Sequence, residues 1–154
     1  MTIHVRSIEA GDRAAWDGLW AGYLAFYETE LDPAATEETW RRLVDPTGPI
    51  HGQVAVDANG DLVGLVHHLF HPSTWSTTSV CYLEDLYVDP NARRDGVGRS
   101  LIEAVADAAR SAGSDQVYWH TQATNARART LYDQVARHDG FVVYELPLSG
   151  TAAD

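Results

Sequence analysis

One junction constrains the fold of this chain more than any other: the run DPNARRDGVGRSLIEAV, residues 89 to 105. The segment before it, VCYLEDLYV, has the β-branched and aromatic composition of a strand, and Asp89 with Pro90 stops it. After it, Leu101, Ile102, Val105, Ala108, Ala109 and Ala112 recur at helical spacing as one apolar stripe, closed by Gly113. A strand that turns into a helix through Gly96 and Gly98 aims the free amides of the helix mouth, and the positive end of its dipole, at whatever sits over the loop. Arg93, Arg94 and Arg99 crowd the same loop. All eleven basic residues are arginines, and the formal net charge is -11. Scarce positive charge gathered at one loop of an acidic protein points to a bound anion.

Two phosphate-binding loops are excluded. A dinucleotide fingerprint needs a third glycine where Leu101 stands, and a nucleotide-triphosphate loop needs a lysine, which the chain lacks. Around the junction the pattern alternates between strand and helix. IHVRSI (3–8) alternates as a first strand, and DRAAWDGLWAGYLAFYETEL reads as a helix ended by Pro33. TEETWRRL is a second helix with Thr36 as its N-cap. QVAVDANGDLVGLVHHLF is a hairpin turning at Asn59-Gly60. QVYWHTQ is a strand, ARARTLYDQVARH a helix and FVVYEL a final strand. A hairpin followed by strand-helix-strand-helix-strand predicts an α+β domain with a mixed sheet.

At 154 residues, 45% apolar with five tryptophans, the chain is long enough for one packed domain, expected over 1–148 with a disordered tail at 149–154. No apolar run approaches the ~20 residues that span a bilayer, and the N-terminus lacks a signal-peptide pattern, so a cytoplasmic protein without a membrane partner is expected. The acidic balance disfavours nucleic acid. A single cysteine, Cys81, excludes a disulfide framework and a cysteine-based zinc site. His67, His68 and His71 resemble a metal cluster only at first sight, since adjacent strand residues face opposite ways; no metal is expected.

The pattern Arg93-x-x-Gly96-x-Gly98, together with YLEDLYV (82–88) and NARARTLYD (125–133), resembles the GNAT superfamily of acyl-CoA N-acyltransferases over nearly the whole chain. With the upstream FYE, it is most similar to the spermidine/spermine and histone/polyamine acetyltransferase branch. The departures are Arg94, where many members carry glycine, and a longer connection from Tyr132 to the Gly-Phe at 140. The resemblance implies a mixed, mostly antiparallel sheet of six to seven strands with about four helices, coenzyme A lying between splayed central strands. It implies acetyl-CoA as co-substrate and a homodimer. It places Leu86, Tyr87 and Val88 along the pantetheine, and Arg93, Arg94, Asp95, Gly96, Val97, Gly98, Arg99 and Ser100 around the diphosphate. Asn125, Arg127 and Ala128 complete the coenzyme contacts, and Tyr27, Glu28 and Asp85 meet the acceptor.

Acyl transfer to an amine poses two proton problems. The acceptor arrives as an ammonium near pKa ~10 and must lose a proton. Glu84 and Asp85 stand on one strand with side chains expected on opposite faces, and the resemblance selects Glu84 as the base; a strand carboxylate in a salt bridge is the competing reading. The leaving thiolate must regain a proton. Asn125 and Tyr132, seven apart, return to nearly one helix face, so one can anchor the pantetheine while the Tyr132 phenol faces sulfur. Cys81 as an acyl carrier is weaker, because free cysteines are usually buried hydrophobes. His120 as auxiliary base, and Glu28, Glu30, Asp32, Glu37 and Glu38 as ammonium ligands, compete with structural readings. The expectation is an acetyl-CoA-dependent N-acetyltransferase working by direct transfer to a small primary amine: a polyamine, a diamino acid or an amino acid. The alternatives are an aminoglycoside or protein-lysine acetyltransferase, or a coenzyme-A-binding module without turnover.

Overall fold

The computed structural model describes residues 2–93 and 95–149; the expectations for Arg94 and for residues 150–154 lie outside the described residues. In chain order the elements are β1 (His4–Ser7), α1 (Arg13–Phe26), α2 (Pro33–Val44), β2 (Ile50–Val56), β3 (Leu62–Pro72), β4 (Ser79–Val88), α3 (Val97–Ser111), β5 (Val117–Tyr118) and α4 (Ala126–Val135), with short 3-10 turns at Ala10–Asp12 and Pro90–Ala92. The described residues fall into two compact units divided between His120 and Thr121.

The first unit holds an open sheet in the order β1-β2-β3-β4-β5, antiparallel through β4, with β5 parallel to β4. The fold is therefore α+β with a mixed five-stranded sheet and four helices, and the expected six to seven strands are too many for the described residues. One expected strand is missing and another is short. QVYWHTQ contributes only Val117 and Tyr118, paired with Cys81 and Tyr82. FVVYEL has the apolar, β-branched and aromatic composition of a strand but forms none, and Phe141 and Tyr144 are exposed. Composition is a property of one segment, whereas a strand also needs a neighbour to share its hydrogen bonds.

Helices α1 and α2 cover one face of the sheet, where Trp16, Leu19, Trp20, Leu43 and Leu65 form a buried cluster. Trp16 is fully buried and packs between Trp20 and Trp40. Gly64, the neighbour of Leu65, must face the other side. There a Cβ would lie 3.0 Å from both Leu101 and Val97, so α3 packs directly on the strand backbone. The α3 stripe is as expected, with Val97, Leu101, Ile102, Val105 and Ala109 buried.

Boundaries moved where capping outweighed periodicity. Helix α2 starts at Pro33, not after Thr36, because Asp32 accepts from the Ala34 amide (2.8 Å) and Pro33 suits the first helical position. Helix α1 stops at Phe26 instead of running on to Pro33. The Glu28 amide donates to Ala25 and the Thr29 amide to Leu24, each at 3.0 Å, which is a Schellman closure with Glu28 at φ 51.

Candidate active site

The site begins with a flaw in the β3–β4 ladder. His67 pairs with Asp85 and His68 with Leu83, so Glu84 is the extra residue of a bulge. The bulge breaks the strict alternation that would send Glu84 and Asp85 to opposite faces. Asp85, by its charge and a hydrogen bond, and more weakly the Glu84 charge, raise the Tyr23 phenol of α1. Glu84 is exposed; the surrounding protein, and next the Asp85 charge, hold its carboxyl above the ordinary range. That is the direction a base needs near neutral pH.

Asp85 is wired into the core behind it. Its Oδ2 lies 2.9 Å from His67 Nδ1, and the Trp16 indole N–H donates to His67 Nε2 at 3.1 Å. In front stands an aromatic wall from α1: Tyr23 stacks on Trp20 with centroids 5.0 Å apart and meets Tyr27 and Tyr87 edge-on. Burial, then the Asp85 charge, then hydrogen bonding with Asp85 push the Tyr23 phenol far up; burial and Asp85 do the same to Tyr27. Both phenols therefore stay protonated donors beside the carboxylates. Of the expected acceptor residues, Tyr27 and Asp85 belong to this cluster. Glu28 lines an open groove along α1 with Ala21, Leu24, Ala25, Glu30 and Leu31.

The coenzyme segment lies further along β4. Antiparallel pairs alternate between those that exchange hydrogen bonds and those that do not. The Asp89 amide donates to Val63 (2.8 Å), so by register the backbone of Tyr87 faces β3, whereas Leu86 and Val88 turn theirs to the opposite edge. On that edge β5 pairs only at Cys81 and Tyr82. Among the described residues no strand covers Leu86 or Val88, and the Arg93 Nε reaches the Val88 carbonyl at 3.4 Å. The Tyr87 ring instead packs against α1 at Gly22.

Beyond β4, Asp89 caps the 3-10 turn by accepting from the Asn91 amide (2.8 Å), and the Asp95 amide donates to Ala92. Gly96 then adopts φ 72, ψ 18 as the N-cap of α3. Glycine is needed there for its left-handed conformation. With no side chain capping the helix, the Val97 and Gly98 amides sit in a first turn where helix geometry supplies no acceptor. Ser100 donates its hydroxyl to the Gly96 carbonyl (3.1 Å), and Arg99 lies in the same turn.

In the second unit, Asn125 is the N-cap of α4 and not a helical residue: its side chain accepts from the Ala128 amide and donates to Thr121 Oγ1, both at 3.4 Å. The expected pairing of Asn125 and Tyr132 on one helix face is corrected to that extent. Arg127 and Ala128 belong to the first turn, and Tyr132 is half-buried in the second.

Several sequence candidates have structural occupations. Glu37 pairs with Arg13 and Glu38 with Arg41 and Arg42, so neither is an open ammonium ligand; Asp32 is a cap. Cys81 is fully buried and its thiol is pushed up to about 11 by that burial, which makes it a poor nucleophile. His71 bonds Tyr118 (2.7 Å) and His120 lies 3.3 Å from the Tyr82 hydroxyl. Among the described residues no group of three or more His, Cys, Asp or Glu is placed to hold a metal ion. Tyr23, His67 and Trp16 were not legible as site residues, because only the bulge register sets His67 opposite Asp85.

The comparisons identify this architecture. The structure of AAC(6')-Iy in complex with a bisubstrate analog, CoA-S-monomethyl-acetylneamine, matches with a TM-score of 0.82 at 16% identity, covering 97% of this chain and all of that one. The fold is thus one that N-acetyltransferases use. The model of the Acetyltransferase (GNAT) family matches residues 14–136, and the chain belongs to that family: it is an acyltransferase of the N-acetyltransferase class. It is 41% identical over 144 residues to the D-amino-acid N-acetyltransferase HPA3 of Saccharomyces cerevisiae, covering 93% of this chain and 89% of that protein. It is also 29% identical over 135 residues to an aminoglycoside N(6')-acetyltransferase type 1 of Klebsiella aerogenes, covering 83% and 84%. Members of the family use acetyl-CoA.

Proposed function

We propose that this chain transfers acetyl from acetyl-CoA to a small primary amine by direct attack in a ternary complex, a free amino acid being a better acceptor than a polyamine. The observation that carries the reading is the carboxylate pair at the β4 bulge, set against the protonated phenols of α1. An ammonium docks against Asp85, with Tyr27 and Glu28 beside it, and Glu84 takes its proton. The preference for an amino acid rests on the likeness to a D-amino-acid N-acetyltransferase along nearly the whole chain; the spermidine/spermine resemblance rests on short motifs alone.

The residues present fit the co-substrate. The uncovered β4 edge at Leu86 and Val88 suits the amides of the pantetheine arm, which would add to the sheet like a strand. The α3 first turn and the loop before it, with Arg93, Asp95, Gly96, Val97, Gly98, Arg99 and Ser100, suit the diphosphate, and the family resemblance adds Arg94. By the family resemblance, Asn125, Arg127 and Ala128 also belong to the coenzyme contacts. The bound thioester supplies the activated acetyl group, and Tyr132 returns a proton to the departing thiolate. In this reading residues 1–148 work as one domain, the chain is a homodimer and it acts in the cytoplasm.

The test is thiol release from acetyl-CoA across a panel of D- and L-amino acids, lysine, spermidine and an aminoglycoside. Turnover with amino acids above the others supports the reading. Aminoglycoside preference would favour the function named for the Klebsiella aerogenes relative. Binding of acetyl-CoA without turnover on any amine would leave only a coenzyme-binding module.

A further inference from the structure

The buried pair His67 and Trp16 takes no part in the chemistry above, yet its wiring is specific. His67 is 1% exposed and Trp16 is 0% exposed. An indole has only a donor to offer, and that N–H points at His67 Nε2, 3.1 Å away. Nε2 is therefore bare, and the ring proton sits on Nδ1, where it is donated to Asp85 Oδ2 at 2.9 Å. The tautomer is set from the core side, with Trp20 also against the ring. The titratable and charged groups around this ring and its partner carboxylate include Asp85, Glu84 and Tyr82 from β4, Tyr23 and Tyr27 from α1, Arg13 of α1 over the Trp16 ring, and the neighbouring His68 of β3, stacked on His51 of β2. From α2, Trp40 packs on Trp16 and Glu37 pairs with Arg13.

Resting on the acetyltransferase reading, we propose that His67 is a positioning residue: backed by Trp16, it donates from Nδ1 to Asp85 and holds that carboxylate beside Glu84, so that Asp85 meets the acceptor's ammonium while Glu84 removes its proton. A neutral donor suits this task better than a cation. An imidazolium would need a second N–H where the Trp16 N–H already points, and its charge would weaken Glu84 as a base. A neutral Nδ1–H fixes the direction of Asp85 and leaves its full charge to act on Glu84.

Two variants separate positioning from filling. In His67→Asn the amide N–H takes the place of Nδ1–H and can still hold Asp85. In His67→Gln the amide reaches towards Trp16 instead. The Gln variant should raise the acceptor KM roughly 10- to 100-fold, the range for losing a hydrogen bond to a charged group. It should also move the acid limb of the kcat profile to lower pH, because Asp85 no longer stands beside Glu84, and leave the acetyl-CoA KM unchanged. The Asn variant should keep the wild-type limb and recover the acceptor KM to within a few-fold. Equal losses in both variants with an unshifted limb would mean that His67 only fills the core, and would overturn the proposal. Should neither variant fold, the imidazole ¹⁵N shifts of the wild-type protein decide. A protonated Nδ1 with a bare Nε2 supports the relay; the opposite tautomer, or an imidazolium at neutral pH, removes it. Failure of the wild-type enzyme on every amine is a different result and bears on the acetyltransferase reading alone.

Discussion

At the scale of single residues, two carboxylates ask for different assignments, and their surroundings supply them. Asp85 accepts from His67 and is half enclosed; Glu84, one position earlier, has no strand partner and a raised pKa. Glu84→Gln keeps the shape and removes the proton acceptor, so turnover at neutral pH should fall by roughly 10²–10⁴. A raised carboxyl must lose its proton before it can act, which places the acid limb of the wild-type rate above the ordinary 4.5. In the variant that limb should vanish, and activity should climb towards the acceptor's own pKa near ~10. A silent Glu84→Gln with a damaging Asp85→Asn would reverse the roles. Cys81→Ala should keep activity, because a buried thiol pushed up to about 11 carries no acyl group; mass spectrometry of wild-type enzyme incubated with acetyl-CoA alone should find Cys81 unmodified. The two acidic residues were legible in YLEDLYV. The bulge between them and their partners was not, since it depends on a partner strand eighteen residues away.

At the scale of elements, local chemistry was readable wherever an element carries its own signal. The α3 stripe, the hairpin at Asn59-Gly60 and the glycine-led loop all stand where their residues put them. Elements defined by neighbours were not: β5 shrank to two residues and FVVYEL gained no ladder. Two turns carry predictions. Gly96 sits at φ 72, where a branched residue costs about 1–2 kcal/mol and brings a side chain to the mouth of α3. Gly96→Val should therefore lower the urea midpoint modestly and weaken acetyl-CoA binding, read by calorimetry with circular dichroism as the fold control; unchanged affinity would take the loop out of the site. Glu28 is the opposite case, a non-glycine held at φ 51 at the end of α1. Glu28→Gly should relieve about 1 kcal/mol of strain and raise the urea midpoint. In the proposed reading Glu28 meets the acceptor, and strain of this kind persists where a side chain has work to do, so the same variant should raise the acceptor KM. A more stable protein with an unchanged KM would reduce Glu28 to a helix stop.

At the scale of the whole molecule, a net charge of -11 acts on every charged ligand before any contact forms. Many of the arginines are spent internally: Arg6 on Asp12, Arg13 on Asp17 and Glu37, Arg41 and Arg42 on Glu38, Arg110 on Asp107. The far field is therefore negative, and it distinguishes the candidate acceptors by their net charge. A polyamine is drawn in from a distance, while a zwitterionic amino acid has no net charge to steer and binds through its ammonium only at contact. Screening sharpens the contrast, since the Debye length falls from ~30 Å at 0.01 M salt to ~10 Å at 0.1 M. Measured between those salt concentrations at saturating acetyl-CoA, kcat/KM for spermidine should drop by roughly tenfold or more. For a neutral amino acid it should stay nearly flat, because the contact with Asp85 lies inside the screening length. If the natural acceptor is an amino acid, its kcat/KM should overtake that of spermidine as salt rises to physiological strength. A spermidine rate that stays ahead at every salt concentration would show that close contacts, and not the field, favour a polyamine, and would return the acceptor to the polyamine class.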